Sequence, residues 1–248
     1  MNFLRLAFIR LFLKFVVVIL QKNRMLFDDF IANSKSVFAS FPNERVWLQG
    51  GFLPNRQLQK PEAGYCVVMR FDEKTTELIV AFMEKVRAIL PSIVEYTPKN
   101  FHTTIGVYGK EETKEFVPDS ELLGYLAESV EEGLKGYSGN PWVEFERWLF
   151  NHEAILVSGY PNKDLWHLFQ NIETACKKNG FPLEMGRIIH VTTARFISSV
   201  TRQLFEQFLQ IMESAPAIEP TKPKAIDLAS WRCDGLTFNL VTHKRYAL

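Results

Sequence analysis

The feature that most constrains this chain is a pattern that occurs twice, with 88 residues separating His102 from His190. Phe101-His102-Thr103-Thr104-Ile105-Gly106-Val107-Tyr108 returns as Ile189-His190-Val191-Thr192-Thr193-Ala194-Arg195-Phe196. Each copy reads His-x-Thr, then a small residue, then an aromatic ring. On strands, side chains two apart share a face, so His, Thr, the small residue and the aromatic of each copy are expected to point the same way. Two such strands facing one another place two imidazoles and two hydroxyls in one cleft.

The elements around the two copies also repeat. Gly64 to Phe71 is a β-rich run, and Leu78, Ile79, Phe82, Val86 and Leu90 follow at helical spacing, stopped by Pro91. Ser92 to Thr97 and Phe101 to Tyr108 read as strands on either side of Pro98-Lys99-Asn100. Asp119 to Tyr137 carries a cap signal after Pro118 and ends among glycines, which marks a helix. Trp142 to Leu149 and Ala154 to Tyr160 read as strands, Asp164 to Asn179 as a helix closed by Gly180, and Ile188 to Phe196 as the second motif strand. A helix over Thr201 to Met212 and strands over Ala225 to Trp231 and Leu236 to His243 complete a duplicated αβ plan.

At 248 residues, with 47% hydrophobic and 23% charged residues, the chain has enough apolar material for one large domain or two joined lobes. A net charge of +1 argues against a surface built for long nucleic acid, so a phosphate partner is expected to be small or held locally. Cys66, Cys176 and Cys233 lack the spacing of a zinc site or redox pair and read as buried residues in a reducing, cytoplasmic setting.

Residues 1–24 are hydrophobic, but Arg5, Arg10 and Lys14 interrupt the apolar run, which suits neither a secretory signal nor a spanning helix. Arg10, Lys14 and Gln21 share a helical side, with Arg5 well away. Three readings stay open: a basic amphipathic helix on a membrane surface, a terminal helix packed on the domain, or an annotation artefact with translation beginning at Met25. Five of the 29 cations lie in this segment with no acid beside them, leaving 24 cations against 28 acids elsewhere. Residues 25–63 read as a helix and loop extension, and 64–248 as the main domain.

Over Gly64 to Leu248 the chain resembles the two-histidine (2H) phosphoesterase superfamily, which includes 2′,3′-cyclic phosphodiesterases, 2′-5′ RNA ligase-like proteins and 2′,5′-oligoadenylate phosphodiesterases. The resemblance rests on the opening strand and helix, Pro98-Lys99-Asn100 leading into His102-Thr103-Thr104-Ile105, the spacing, and His190-Val191-Thr192-Thr193-Ala194-Arg195. It implies an α+β, bilobal fold of mainly antiparallel sheet with outer helices, two pseudo-symmetric lobes flanking a central cleft. It also implies that His102 and His190 are an acid/base pair, that Thr104 and Thr192 bind phosphate oxygens, and that Arg195 neutralises phosphate, although strict alternation places Arg195 on the face opposite His190.

Independently of the resemblance, cleaving a phosphodiester requires a base on one side of phosphorus and an acid on the other, and paired imidazoles supply both without metal or cofactor. Hydroxyls that donate to the non-bridging oxygens stabilise the charge that develops there. Tyr108 and Phe196, six residues beyond each histidine, and Tyr65 on the opening strand are candidates to stack a base, with core packing as the alternative. His152, His167 and His243 lack such company and read as structural or surface residues. No phosphate loop, dinucleotide fingerprint or nucleophile elbow occurs.

The function expected is hydrolysis of a 2′,3′-cyclic phosphate or 2′-5′ linkage of a nucleotide or short RNA by a monomer. The alternatives are a non-catalytic nucleotide or RNA-end binding protein and an RNA-end processing or ligation enzyme.

Overall fold

The computed structural model describes residues 26–248. The hydrophobic segment at residues 1–24 and its three readings lie outside the described residues. Among those described, no helix is long and apolar enough to cross a membrane.

Apolar residues at helical spacing close into α1 (Phe27–Ala39), which buries Phe30 and Phe38. The Pro/Gly/Asn-rich stretch after it forms two 3-10 turns, Asn43–Gln49 and Arg56–Leu58. The main domain then runs β1 (Glu62–Arg70), α2 (Glu73–Ile89), β2 (Ile93–Glu95), β3 (Thr103–Glu112) and α3 (Ser120–Leu134). It continues with β4 (Val143–Phe150), β5 (Ala154–Pro161), α4 (Lys163–Lys178), β6 (Glu184–Met185) and β7 (Ile189–Phe196), and ends with α5 (Arg202–Glu213), β8 (Ala225–Cys233) and β9 (Phe238–Ala247).

Four of these helices start where a side-chain oxygen accepts an otherwise unpaired backbone N–H: Asp72 from Thr75, Asp119 from Glu121 and Leu122, Asn162 from Leu165, and Thr201 from Leu204. Each such cap stabilises its helix by about 1 kcal/mol.

The strands form two antiparallel sheets, one ordered β6-β3-β1-β8-β9 and the other β2-β7-β5-β4. The fold is therefore α+β and bilobal. The short strand preceding each motif strand pairs with the motif strand of the opposite lobe: β2 pairs with β7, and β6 with β3. This reciprocal exchange joins the lobes at the motif strands, and Thr103 Oγ1 adds a direct tie by donating to the His190 carbonyl at 2.9 Å.

The N-terminal extension packs onto this frame. Phe52 stacks on Phe196 with centroids 3.7 Å apart. Both rings are buried, and burial of such a ring contributes about 1.5–3 kcal/mol. Asn55, also buried, donates its Nδ2 to the carbonyls of Phe196 (2.8 Å) and Gly235 (3.0 Å), fastening the extension to the end of β7 and to the β8–β9 turn.

The buried Asp227 carboxylate on β8 accepts both Nε and Nη2 of Arg245 at 2.8 Å and Thr242 Oγ1 at 2.9 Å, with Arg70 Nε 3.6 Å away. Arg70 also donates to the Lys99 carbonyl, so this charged cluster reaches the turn that delivers His102.

Candidate active site

His102 lies one residue before β3 begins, at the end of the Pro98-Lys99-Asn100 turn, whereas His190 is the second residue of β7. The two histidines, Thr104 and Thr192 line a single cavity of about 140 Å³ between the sheets, together with Arg195, Val107, Cys66, Tyr96, Trp231 and Phe238.

A matching irregularity in each motif strand decides which later residues join them. Along β1, Val67 pairs with Gly106 but Val68 with Thr104, so Ile105 is an extra residue. Along β5, Ile155 pairs with Ala194 but Leu156 with Thr192, so Thr193 is extra. A β-bulge inverts the alternation beyond it. Burial carries the same signature, two consecutive buried residues at Ile105-Gly106 and at Thr193-Ala194.

The residue five beyond each histidine, Val107 or Arg195, is thereby turned into the cavity. Strict alternation, which put Arg195 on the face opposite His190 and would do the same to Val107, fails here because of the bulge. The residue six beyond is turned out. Tyr108 meets Phe181 edge-on at 5.8 Å, and Phe196 is buried against Phe52. Tyr65, opposite Tyr108 in the register, is buried, and its hydroxyl accepts the Asp119 N–H at 2.8 Å. None of these three aromatics lines the cavity. Thr103 and Ile105 are also outside it.

The rings that do wall the cavity carry no motif signal. Phe238, at the start of β9, stacks on His102 (5.6 Å, 12° between planes) and on Tyr96 (4.7 Å, 19°). Its carbonyl accepts from Asn100 Nδ2 at 2.9 Å, so the turn before His102 and the stacking ring are tied together. Tyr96 accepts a 2.9 Å hydrogen bond from Arg195 Nε, which holds the guanidinium at the cavity wall.

Burial pushes the His102 pKa down to about 4, with Arg70, His190 and Arg195 adding to the shift against a raising contribution from the Asn100 carbonyl. Burial and the Arg195 charge push His190 to about 4, opposed by the Ile188 carbonyl. Both imidazoles are therefore neutral at pH 7 in the unliganded protein. His102 Nδ1 lies 2.7 Å from the Asn100 carbonyl; a carbonyl only accepts, so this nitrogen carries the proton and Nε2 carries a lone pair. On the other side the Ile188 carbonyl acts on His190 in the same sense, but His190 Nδ1 is buried without a hydrogen-bond partner among the described residues. Burial also raises the Cys66 thiol at the cavity wall and keeps it protonated.

The remaining histidines lie elsewhere. His152 bonds the Gly51 carbonyl at 2.7 Å, His243 bonds Ser230 Oγ at 2.8 Å, and His167 is exposed on α4. Cys66, Cys176 and Cys233 are all free and buried. Among the described residues no group of three or more His, Cys, Asp or Glu is placed to hold a metal ion.

The sequence matches no protein-family model and no curated protein. Among solved structures, TT0787 of Thermus thermophilus is 15% identical, with a TM-score of 0.51 over 75% of this chain and 97% of that one. A structure described as a phosphoesterase is 15% identical (TM-score 0.49, 75% and 98% of the two chains). Escherichia coli LigT complexed with phosphate is 15% identical (TM-score 0.44, 76% and 98%). Over the matched span, the fold of this chain, two antiparallel sheets joined at the motif strands, is the fold of TT0787.

Proposed function

We propose that the protein is a phosphodiesterase that hydrolyses a 2′,3′-cyclic phosphate or a 2′-5′ linkage of a nucleotide or short RNA by paired-histidine acid/base catalysis. The observation that carries this reading is the convergence of His102, Thr104, His190 and Thr192, two residues from each half, on one cavity with Arg195. Binding alone has no need of two facing imidazoles.

With its proton fixed on Nδ1, His102 presents the Nε2 lone pair as the base. It takes a proton from water as the water oxygen attacks phosphorus. His190, protonated once the phosphate anion offsets the Arg195 charge, gives its proton to the departing ribose oxygen. One P–O bond forms and one breaks; His102 gains a proton and His190 loses one, so the pair's total is unchanged, and exchange with solvent returns each ring to its starting state. Thr104, Thr192 and Arg195 hydrogen-bond the non-bridging oxygens as their charge grows. Two imidazoles supply both proton transfers, so no step requires a metal.

Turnover of 2′,3′-cyclic AMP by the full chain tests this reading. His102→Ala and His190→Ala are each expected to lower kcat by about 10²–10⁴-fold, with an unchanged fold by circular dichroism and no effect of EDTA on the unmutated protein. Retained turnover in either folded variant would overturn the assignment. Analysis of the products from 2′-5′ and 3′-5′ oligonucleotides separates hydrolysis from ligation: hydrolysis shortens the chain, ligation lengthens it.

A further inference from the structure

The histidine cavity does not end at its own walls. Thr104, Val107, Arg195, Trp231 and Phe238 also line an adjoining groove of about 330 Å³, so the two spaces share a wall. The far side of this groove is completed by the extension, which supplies Arg56 and Gln57, with Lys110 and Arg187 flanking them from the far end of β3 and the β6–β7 turn.

These positions are fixed by backbone packing. Asn55 anchors the Arg56–Leu58 turn to Phe196 and Gly235. Gly235, at φ +84°, lets that turn come so close that a Cβ on it would lie 2.3 Å from the Leu58 nitrogen. Gly186 N–H donates to the Ile105 carbonyl at 2.8 Å, and a Cβ on Gly186 would lie 2.6 Å from the Thr104 carbonyl. Arg187 is thereby set beside the motif strand, with its carbonyl accepting Asn33 Nδ2 of α1 at 3.0 Å.

The groove is cationic and incompletely satisfied. Arg56, Lys110, Arg187 and Arg195 face only Glu62 and Glu184. Glu62 engages Lys110 at 2.9 Å and Arg56 at 3.6 Å. Arg187 is exposed and makes no ion pair among the described residues. Gln57 is only 3% exposed at the groove; its Nε2 donates to Glu62, but its Oε1 has no partner among the described residues. Trp231 Nε1 likewise has none. Unpaired buried polar atoms at a groove wall are costly unless a ligand pairs them.

We propose that this groove binds a second phosphate, the one joining the reacting nucleoside to the rest of an oligonucleotide, so that the substrate is the end of an RNA chain. The proposal rests on the histidine cavity being the site of the reacting phosphate. Arg187 and Arg56 contact the second phosphate, and Trp231 offers a face for the adjoining base. A groove lined by Arg56, Lys110 and Arg187 beside the reacting site gives local affinity without the long basic surface that a net charge of +1 argues against.

The test is calorimetric titration of the full chain with adenosine 3′-monophosphate, adenosine 3′,5′-bisphosphate and the dinucleotide ApAp. The two ligands with a second phosphate are expected to bind about tenfold or more tighter than the monophosphate, as charge-assisted hydrogen bonds allow. Arg187→Ala and Arg56→Ala are each expected to shrink that advantage several-fold. Equal affinities for all three ligands, or an advantage untouched by both substitutions, would overturn the proposal. Binding of ApAp weaker than that of the bisphosphate would overturn the oligonucleotide assignment. Parallel turnover measurements keep the two readings apart. A binding advantage without turnover supports the groove and removes the hydrolase, whereas turnover without a binding advantage does the reverse.

Discussion

The two motif strands share a plan yet differ in the residues around it, and the differences make the surroundings of the two histidines unequal. Both carry His and Thr into the cavity, both contain a bulge three residues after the histidine, and both turn the residue five beyond it inward. On β3 that residue is Val107; on β7 it is Arg195. His102 has its Nδ1 fixed by a carbonyl and its ring stacked on Phe238, whereas His190 Nδ1 has no such bond and feels the Arg195 charge most among nearby groups. The position after each histidine differs as well: Thr103 bonds across to the His190 carbonyl, and its counterpart Val191 is apolar core. Pseudo-symmetry therefore supplies the pairing, and the unmatched residues make the two histidines unequal, as the proposed division into base and acid requires.

The bulge in β7 makes neighbouring residues answer to different forces, which substitutions at positions 196 and 195 expose. Phe196→Ala removes a buried ring stacked on Phe52 and is expected to cost about 3–5 kcal/mol of stability, measured by urea unfolding. A loss below about 1 kcal/mol would contradict its place in the core. Arg195→Leu is expected to leave a folded protein with kcat lowered by about 10²-fold, as for removal of one oxyanion donor. Because its charge depresses both imidazoles, the apparent histidine pKa values rise in this variant. An unchanged kcat with 2′,3′-cyclic AMP would remove Arg195 from the site.

The pH profile follows from the same charges. Turnover needs one proton shared by the histidine pair. With both free imidazoles near pKa 4, the singly protonated form declines about tenfold per pH unit above pH 5. The expected kcat/KM profile thus falls with slope near −1 from pH 6 to 8, and a flat profile would contradict neutral, depressed histidines. Stability runs in the opposite sense. The unfolded histidines, with pKa near 6.5, bind protons that the folded ones refuse, so stability present above pH 6.5 is lost as pH falls toward 4. The smallest effect belongs to Tyr108. Tyr108→Phe keeps the ring against Phe181 and is expected to change kcat/KM by less than about twofold, since substitutions away from the reacting groups have small effects. A loss of about tenfold would return Tyr108 to the site.

The sequence carried the order of the elements and the duplicated His-x-Thr because both depend on local periodicity and caps. The helices starting after Asp72, Asp119, Asn162 and Thr201 are examples. It did not carry the side on which Tyr108, Val107, Arg195 and Phe196 fall. A bulge is defined by the partner strand, and nothing within Thr192-Thr193-Ala194 distinguishes a bulged strand from a regular one. The exchange of β2 and β6 was hidden for the same reason, because runs of two or three residues acquire their meaning only from the strand beside them. Phe238 was hidden differently: it lies 136 residues beyond His102, in a strand with no motif, and only the fold stacks the two rings.

Whether the two halves form one catalytic unit is tested most directly by a double-mutant comparison. Turnover of 2′,3′-cyclic AMP is measured for His102→Ala, His190→Ala and the double variant, each verified as folded. Groups acting as a unit are grossly non-additive, so the double variant is expected to lose no more than about threefold beyond either single one. Losses that multiply, or a single variant that retains the parent rate, would contradict a paired site.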